Sequence, residues 1–454
     1  MSLRSLRRRL DGGETTSREL VLAALDRAAD PTGEGSRVFL EVLRPTALAE
    51  ADAADTLRRA GAVRSPIDGL PVSVKDLFDV AGTVTRAGSR VLGDAPPATR
   101  DALAIARLRR AGAAIVGKTN LTEFAYSGIG MNPHYGTPRN PWDRATGRIP
   151  GGSSAGAAVS VTDGMAAAAI GTDTGGSVRI PAALCGLVGF KPTASRIPLD
   201  GCYPLSPSLD SIGPLAHTVA DCALLDAIMA GAEPPVLDPR PLGTLRFLAP
   251  ATYVRDGCEA AVDAAFAGAL RVLRAAGAVI DEAPLAALER VAPMLANGGI
   301  IAAEVYAGQR ALLEAHGDAY DPNVRFRILR GKALSAADYL DALAARRAFI
   351  DAFAAETRDY DGLLWPTVAV LAPPIAELDE REAFGRANAM MLRNTNIVNL
   401  LDGCALSLPI HEPGTAPIGL QLVARRGEDR TLLEIGAAAE AALTALVAGK
   451  GSLR

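Results

Sequence analysis

Apolar positions near the N-terminus recur at helical spacing. Val21, Ala24, Leu25 and Ala28 form one stripe behind Thr16-Ser17-Arg18-Glu19, whose spacing is that of a capping box, so a helix is predicted to begin there. A second helical run, rich in alanine and acids, covers 45–60 and stops at Gly61. From about residue 70 to 230 the texture changes to short apolar runs between glycine-rich turns. Residues 70–75 alternate, with Val72 and Val74 on one face and Ser73 and Lys75 on the other, as in a strand. Residues 102–111 read as a helix closed by Gly112, and 114–116 as the strand after it. The wholly apolar run 165–170 reads as a buried strand. Helical patterns return at 257–276 and 336–356 and strands at 362–365 and 419–423, after a proline-rich linker at 234–243. This alternation predicts an α/β protein, a single large domain with helices on both faces of a central sheet. Late strands behind a helical block favour one sheet with an excursion over two independent domains.

Charge and composition narrow the field. Lys+Arg 47 against Asp+Glu 51 leaves a net charge of −4, which gives no electrostatic reason to bind nucleic acid or an anionic membrane. No apolar stretch approaches the roughly 18 residues of a spanning helix. The arginine-rich first ten residues lack the apolar core of a secretory leader, and Asp11 and Glu14 argue against a transit peptide. A cytoplasmic location is expected. The five cysteines (Cys185, Cys202, Cys222, Cys258, Cys404) are scattered and never in a CxxC pair, which argues against a disulfide framework or a zinc site. His134, His217, His316 and His411 show no local ligand spacing, so no metal or other cofactor is expected. Each reads most simply as a surface or hydrogen-bonded core histidine.

Candidate chemistry concentrates in three places: Lys75 at the end of its strand, the loop Pro150-Gly151-Gly152-Ser153-Ser154-Ala155-Gly156, and the loop Gly171-Thr172-Asp173-Thr174-Gly175-Gly176-Ser177-Val178-Arg179. Neither loop has the form of a P-loop or a dinucleotide fingerprint. Gly152-Ser153-Ser154-Ala155-Gly156 matches G-x-S-x-G, with Asp361 and His411 downstream, but the polar residues 142–150 are not the strand a nucleophile elbow needs. The third loop has its strand. Its glycines let backbone N–H groups converge as an oxyanion hole, and the serine that ends it suits a nucleophile. With no histidine well placed, a lysine desolvated by an apolar strand can supply the base.

These segments together resemble the amidase signature family: GLPVSVKDLFDVAG, GKTNLTEFA, YGTPRNPWD, PGGSSAGAA, GTDTGGSVRIPAALCGLVGFKPT and SLDSIGPLAHTVAD, in order. Towards the C-terminus, GLLWPTVAVLAPP and LDGCALSLPI with APIGLQLVARRGED look like the family's closing strands. The likeness covers about 66–226 and 361–439. It implies a central mixed β-sheet covered on both faces, and an amidase that hydrolyses a carboxylic amide to the carboxylate and ammonia or an amine.

Carried over by position, the resemblance implies a Ser-cisSer-Lys triad: Ser177 as nucleophile, Ser153 as the bridging serine after a cis peptide bond, and Lys75 as base. Backbone N–H groups of Thr174, Gly175, Gly176 and Ser177 would hold the oxyanion, with Met131 and Ser153 meeting substrate. Asp173, Arg179 and Ser154 would brace the loops, with Arg179 facing a substrate carboxylate as the alternative. The family's usual GGSSGG here has Ala155 in place of a glycine. Four segments are expected: N-terminal helices over 1–63, the signature core over 64–232, a mostly helical insertion over 233–360 that shapes the pocket, and closing strands with a helix over 361–454. The alanine-rich composition of 297–356 suggests an apolar or aryl acyl pocket. The expected partner is a small-molecule amide, with a homodimer by family habit. The alternatives are the glutaminase component of a tRNA-dependent amidotransferase, disfavoured by Ile180 and by the lack of an RYDG-type segment, and an inactive scaffold member.

Overall fold

Val72 and Val74 on one side of a strand, and Ser73 and Lys75 on the other, dictate two covered faces, because no residue of β2 (Pro71–Lys75) reaches solvent. In the computed structural model, which describes residues 1–449, β2 lies parallel between β3 (Ala114–Thr119) and β4 (Ala168–Thr172). The other strands are β1 (Phe39–Val42), β5 (Val188–Lys191), β6 (Ile212–Ala216), β7 (Arg246–Pro250), β8 (Val279–Ala283), β9 (Gly362–Pro366), β10 (Cys404–Pro409) and β11 (Gly419–Ala424). All eleven form one mixed sheet in the order β1-β3-β2-β4-β6-β5-β10-β11-β9-β7-β8. The expected single α/β domain is therefore present.

The valine face of β2 packs with Ile115 and Ile170 against helices Leu103–Arg110, Val219–Ala230 and Asp429–Gly449, through Leu108, Leu225 and Leu433. The opposite face carries Val116 and Ala169 and meets helices Ser17–Ala29 and Ala155–Thr162 through Val21, Leu25, Ala157 and Ala158. On that face Ser73 Oγ lies 2.8 Å from Ser160 Oγ, so the small polar residue of the strand finds its partner in the covering helix. The capping box at Thr16 and Glu19 forms as the sequence predicts.

Three expectations are corrected. The strand expected at 165–170 starts at Ala168, because the amides of Met165 and Ala166 both turn back to the Ser160 carbonyl to close the preceding helix. The segment 1–63 is not wholly helical, because β1 within it pairs antiparallel with β3 at the edge of the sheet. The block 233–360 is not simply a helical excursion: β7 and β8 extend the sheet beyond β9, with which β7 pairs in parallel. Leu248, Leu285 and Phe349 of this block share a core with Leu363, Trp365 and Ala405. Among the described residues, no helix is long and apolar enough to cross a membrane.

Candidate active site

Three parallel strands end side by side, and ligands of α/β sheets bind outside such carboxyl ends. Lys75 is the last residue of β2 and Thr172 the last of β4, and register places the strands adjacent (Val74 opposite Ile170). Lys75 is fully buried. Its Nζ donates to Ser153 Oγ at 2.7 Å and to Thr172 Oγ1 at 2.8 Å. Burial pulls the ammonium down to about 7, against the opposing fields of Cys202, Asp173 and Asp210.

Ser153 follows a cis Gly152–Ser153 peptide bond and precedes the helix Ala155–Thr162. Around it the loop is fastened at several points. Gly152 N–H donates to the Gly128 carbonyl at 2.8 Å, and Ser154 N–H donates to the Ser177 carbonyl at 3.2 Å. The second of these ties the two serine loops together. Ser177, 4% exposed, opens onto a cavity of about 490 Å³ together with Thr174 and Gly175. Lys75, Ser153 and Ser177, far apart in sequence, thus meet at one end of the sheet.

The loop after β4 is rigid for electrostatic reasons. Asp173 and Arg179 are both fully buried, with Arg179 Nη2 to Asp173 Oδ1 at 2.8 Å and Nε to Oδ2 at 3.0 Å. Burial pushes the Asp173 carboxyl up, but the Arg179 guanidinium outweighs it and holds the group well below the usual carboxylate range. The remaining Arg179 donors reach the Thr395 carbonyl, Gln421 Oε1 and Asn399 Oδ1. Arg179 is thus buried with its donors engaged within the fold, tying the loop to the helix and strand behind it. Thr174 Oγ1 donates to Asp210, whose carboxyl burial raises to about 6 although hydrogen bonds from Thr174, Leu205 and Ser206 oppose the shift.

Two site expectations change. Gly176 N–H is directed at Asp173 Oδ1 (2.9 Å), so its hydrogen is committed to the brace and is not free for an oxyanion. Met131 does not line the Ser177 cavity; it lies in a neighbouring pocket with Pro133 and Leu378, while Ala125, Tyr126 and Ser127 form the near wall. The middle block does reach the cavity, but its wall is not uniformly apolar: Leu295 and Ile301 alternate with Arg327 and Arg330.

Sequence reasoning missed the helix Arg381–Leu401, which backs the loop. Thr395 Oγ1 donates to the Gly175 carbonyl at 2.6 Å, and Asn399 Nδ2 to the Asp173 carbonyl at 3.0 Å. Asn396 stands against Gly175 at the cavity wall, where a Cβ on Gly175 would come within 2.3 Å of its Oδ1. The signal was present in Asn394-Thr395-Asn396 and Asn399, amide side chains on an otherwise apolar helix end. The nucleophile-elbow alternative finds no support. Asp361 accepts the Arg246 amide at the start of β9, five strands from β4, or about 24 Å at the usual spacing. Among the described residues, no cluster of His, Cys, Asp and Glu has the form of a metal site.

The model of the family named Amidase matches residues 19–433. The chain belongs to the amidase family. It is 39% identical over 396 residues to the 2-amino-5-chloromuconic acid deaminase of Comamonas testosteroni, covering 86% of this chain and 85% of that one. It is 37% identical over 466 residues to the A subunit of the glutamyl-tRNA(Gln) amidotransferase of Chloroflexus aggregans, covering 94% and 93%. A crystal structure of an amidase superposes with a TM-score of 0.86 at 37% identity, covering 97% of this chain and 99% of that one. This member of the amidase family is a hydrolase of carbon–nitrogen bonds, and its reaction is amide hydrolysis.

Proposed function

We propose that this amidase hydrolyses a small-molecule carboxylic amide through an acyl-enzyme on Ser177, with Ser153 as proton relay and Lys75 as base. The observation that carries the reading is the 2.7 Å contact between Ser153 Oγ and a lysine that burial brings to about 7. A free hydroxyl is a weak nucleophile, and a neutral amine joined to it through a second hydroxyl can remove its proton. Ser153 passes its proton to Lys75 and takes that of Ser177 as the Ser177 oxygen attacks the amide carbon. The oxyanion is held by the N–H groups of Thr174, Gly175 and Ser177, since that of Gly176 belongs to Asp173. The proton returns to the amide nitrogen, the C–N bond breaks and ammonia or an amine leaves. Water then attacks the ester, giving up a proton by the same relay, and the carboxylate departs.

The division of labour along the chain follows. Residues 64–232 carry the reacting groups, 233–360 supply much of the cavity wall, and 361–449 complete the sheet and brace the Ser177 loop. A cytoplasmic location without a cofactor remains part of the proposal. The 37% likeness to a component of an amidotransferase supports a second reading, a glutaminase that works in a complex. Steady-state kinetics on a panel of amides separates the two. Turnover of simple amides by the isolated chain is expected. Turnover of glutamine alone, and only with a partner protein, would establish the second reading.

A further inference from the structure

Four arginines line the Ser177 cavity, Arg327, Arg330, Arg381 and Arg393, and among the described residues no aspartate or glutamate does. This is unusual for a chain of net charge −4 whose arginines are elsewhere often paired, as Arg64 is with Asp68, Arg109 with Asp101 and Arg144 with Asp163. One of the four, Arg393, is held by hydrogen bonds, whereas Arg381, like Arg327, rests on an aromatic ring with no hydrogen-bond or ion-pair partner for its guanidinium among the described residues. Arg393 donates to the carbonyls of Val254 and Asp256, and Arg381 sits over the Phe326 ring at 5.0 Å. Arg327 and Arg330 stand together as a pair. Both come from the short helix Pro322–Leu329 and the turn after it, one helical step apart, and among the described residues neither guanidinium has a hydrogen-bond or ion-pair partner. Arg327 rests over Tyr126 at 4.4 Å, and its Nε is buried and unpartnered. Burial and the like charge of Arg330 both work against the Arg327 guanidinium.

Two adjacent guanidinium groups without a counter-ion are costly unless an anion joins them, and a planar carboxylate fits the guanidinium fork. We propose that the substrate's acyl group carries a carboxylate held by Arg327 and Arg330, so that the enzyme acts on half-amides of small dicarboxylic acids. The inference rests on the reading of Ser177 as nucleophile, because it is to this cavity that the amide is brought. The absence of acidic groups among the described lining residues extends it. An α-ammonium such as that of glutamine would find only like charge there, so amino-acid amides are rejected. The positive wall also attracts anionic substrates from solution and releases a dianionic product slowly.

The test uses three amides of one length: glutaramate, which bears the carboxylate, pentanamide, which lacks it, and glutamine, which adds an ammonium. The expected kcat/KM for glutaramate exceeds that of each of the other two by about 10²-fold, the scale on which a site built for a polar group rejects analogues that leave it unpaired. Arg330→Gln, at an exposed position, and Arg327→Gln should collapse the glutaramate-to-pentanamide ratio toward one through KM, with partial rescue in Arg327→Lys. Equal rates on glutaramate and pentanamide, or a ratio unmoved by both substitutions, would overturn the proposal. Calorimetric binding of glutarate to the unmodified enzyme and to Arg330→Gln separates this claim from the chemistry. Arginine-dependent glutarate binding without turnover of any amide would uphold the anion subsite and sink the Ser177 mechanism instead.

Discussion

Lys75 ends a strand buried along its whole length, and its amine exchanges solvent for two hydroxyls, those of Ser153 and Thr172. Because only the free amine can accept a proton, kcat/KM should rise tenfold per pH unit below about 7 and level off above it, as a pH–rate profile would show. An activity that instead fell through pH 7 would require the protonated lysine. Lys75→Ala should lower kcat/KM by about 10²–10⁴-fold, the usual worth of a positioned base. Asp173 is fully buried and paired with Arg179. Asp173→Asn leaves the buried Arg179 charge unpaired and should cost about 3–5 kcal/mol, measured by denaturant unfolding. Since Arg179 holds the folded Asp173 carboxyl below its unfolded value, that stabilisation is complete above about pH 4 and is lost progressively as pH falls from there through the folded value.

At the scale of elements, the Ser177 loop is a turn pressed between β4 and the helix Arg381–Leu401. Gly176 has φ +131°, and a Cβ there would lie 2.1 Å from Thr395 Oγ1. Gly176→Ala should therefore displace the neighbouring N–H groups and reduce turnover by about 10²-fold or more, the scale of losing one oxyanion donor, while the far-UV spectrum stays native. What the sequence disclosed at this scale follows a physical division. β2, β9 and β11 were legible because their apolar residues alternate or run together at strand spacing. β6 was not, because Gly213 and Pro214 argue against a central strand. Yet Gly213 is what lets the chain pass β5, since a Cβ there would come within 2.1 Å of the Phe190 carbonyl. Lys75, Ser153 and Ser177 could be named because a lysine on an apolar strand and serines in glycine loops are rare combinations, and a family resemblance joined them. Met131, the Gly176 N–H and the arginine wall could not be judged that way. Their roles depend on which surfaces packing turns toward the cavity, and nothing local in the sequence encodes that.

For the whole molecule, one sheet passes through every segment of the chain, the N-terminal one through β1, and the middle block contributes both its β7–β8 edge and the cavity wall. Folding and site formation should be inseparable as a result. Thermal unfolding followed by tryptophan fluorescence, reporting Trp142 and Trp365, should coincide with loss of far-UV ellipticity and of activity. An earlier fluorescence transition would instead mark a block that melts on its own. Chelators should leave turnover unchanged, whereas a loss restored by added zinc would introduce a metal into the mechanism.

The central claim is that Lys75 activates Ser177 through Ser153, and fluorophosphonate labelling with peptide mapping addresses it most directly. The account predicts modification at Ser177 in the unmodified enzyme and its loss in Lys75→Ala. Labelling at Ser154 with Ser177 untouched, or labelling of Ser177 undiminished without Lys75, would contradict it.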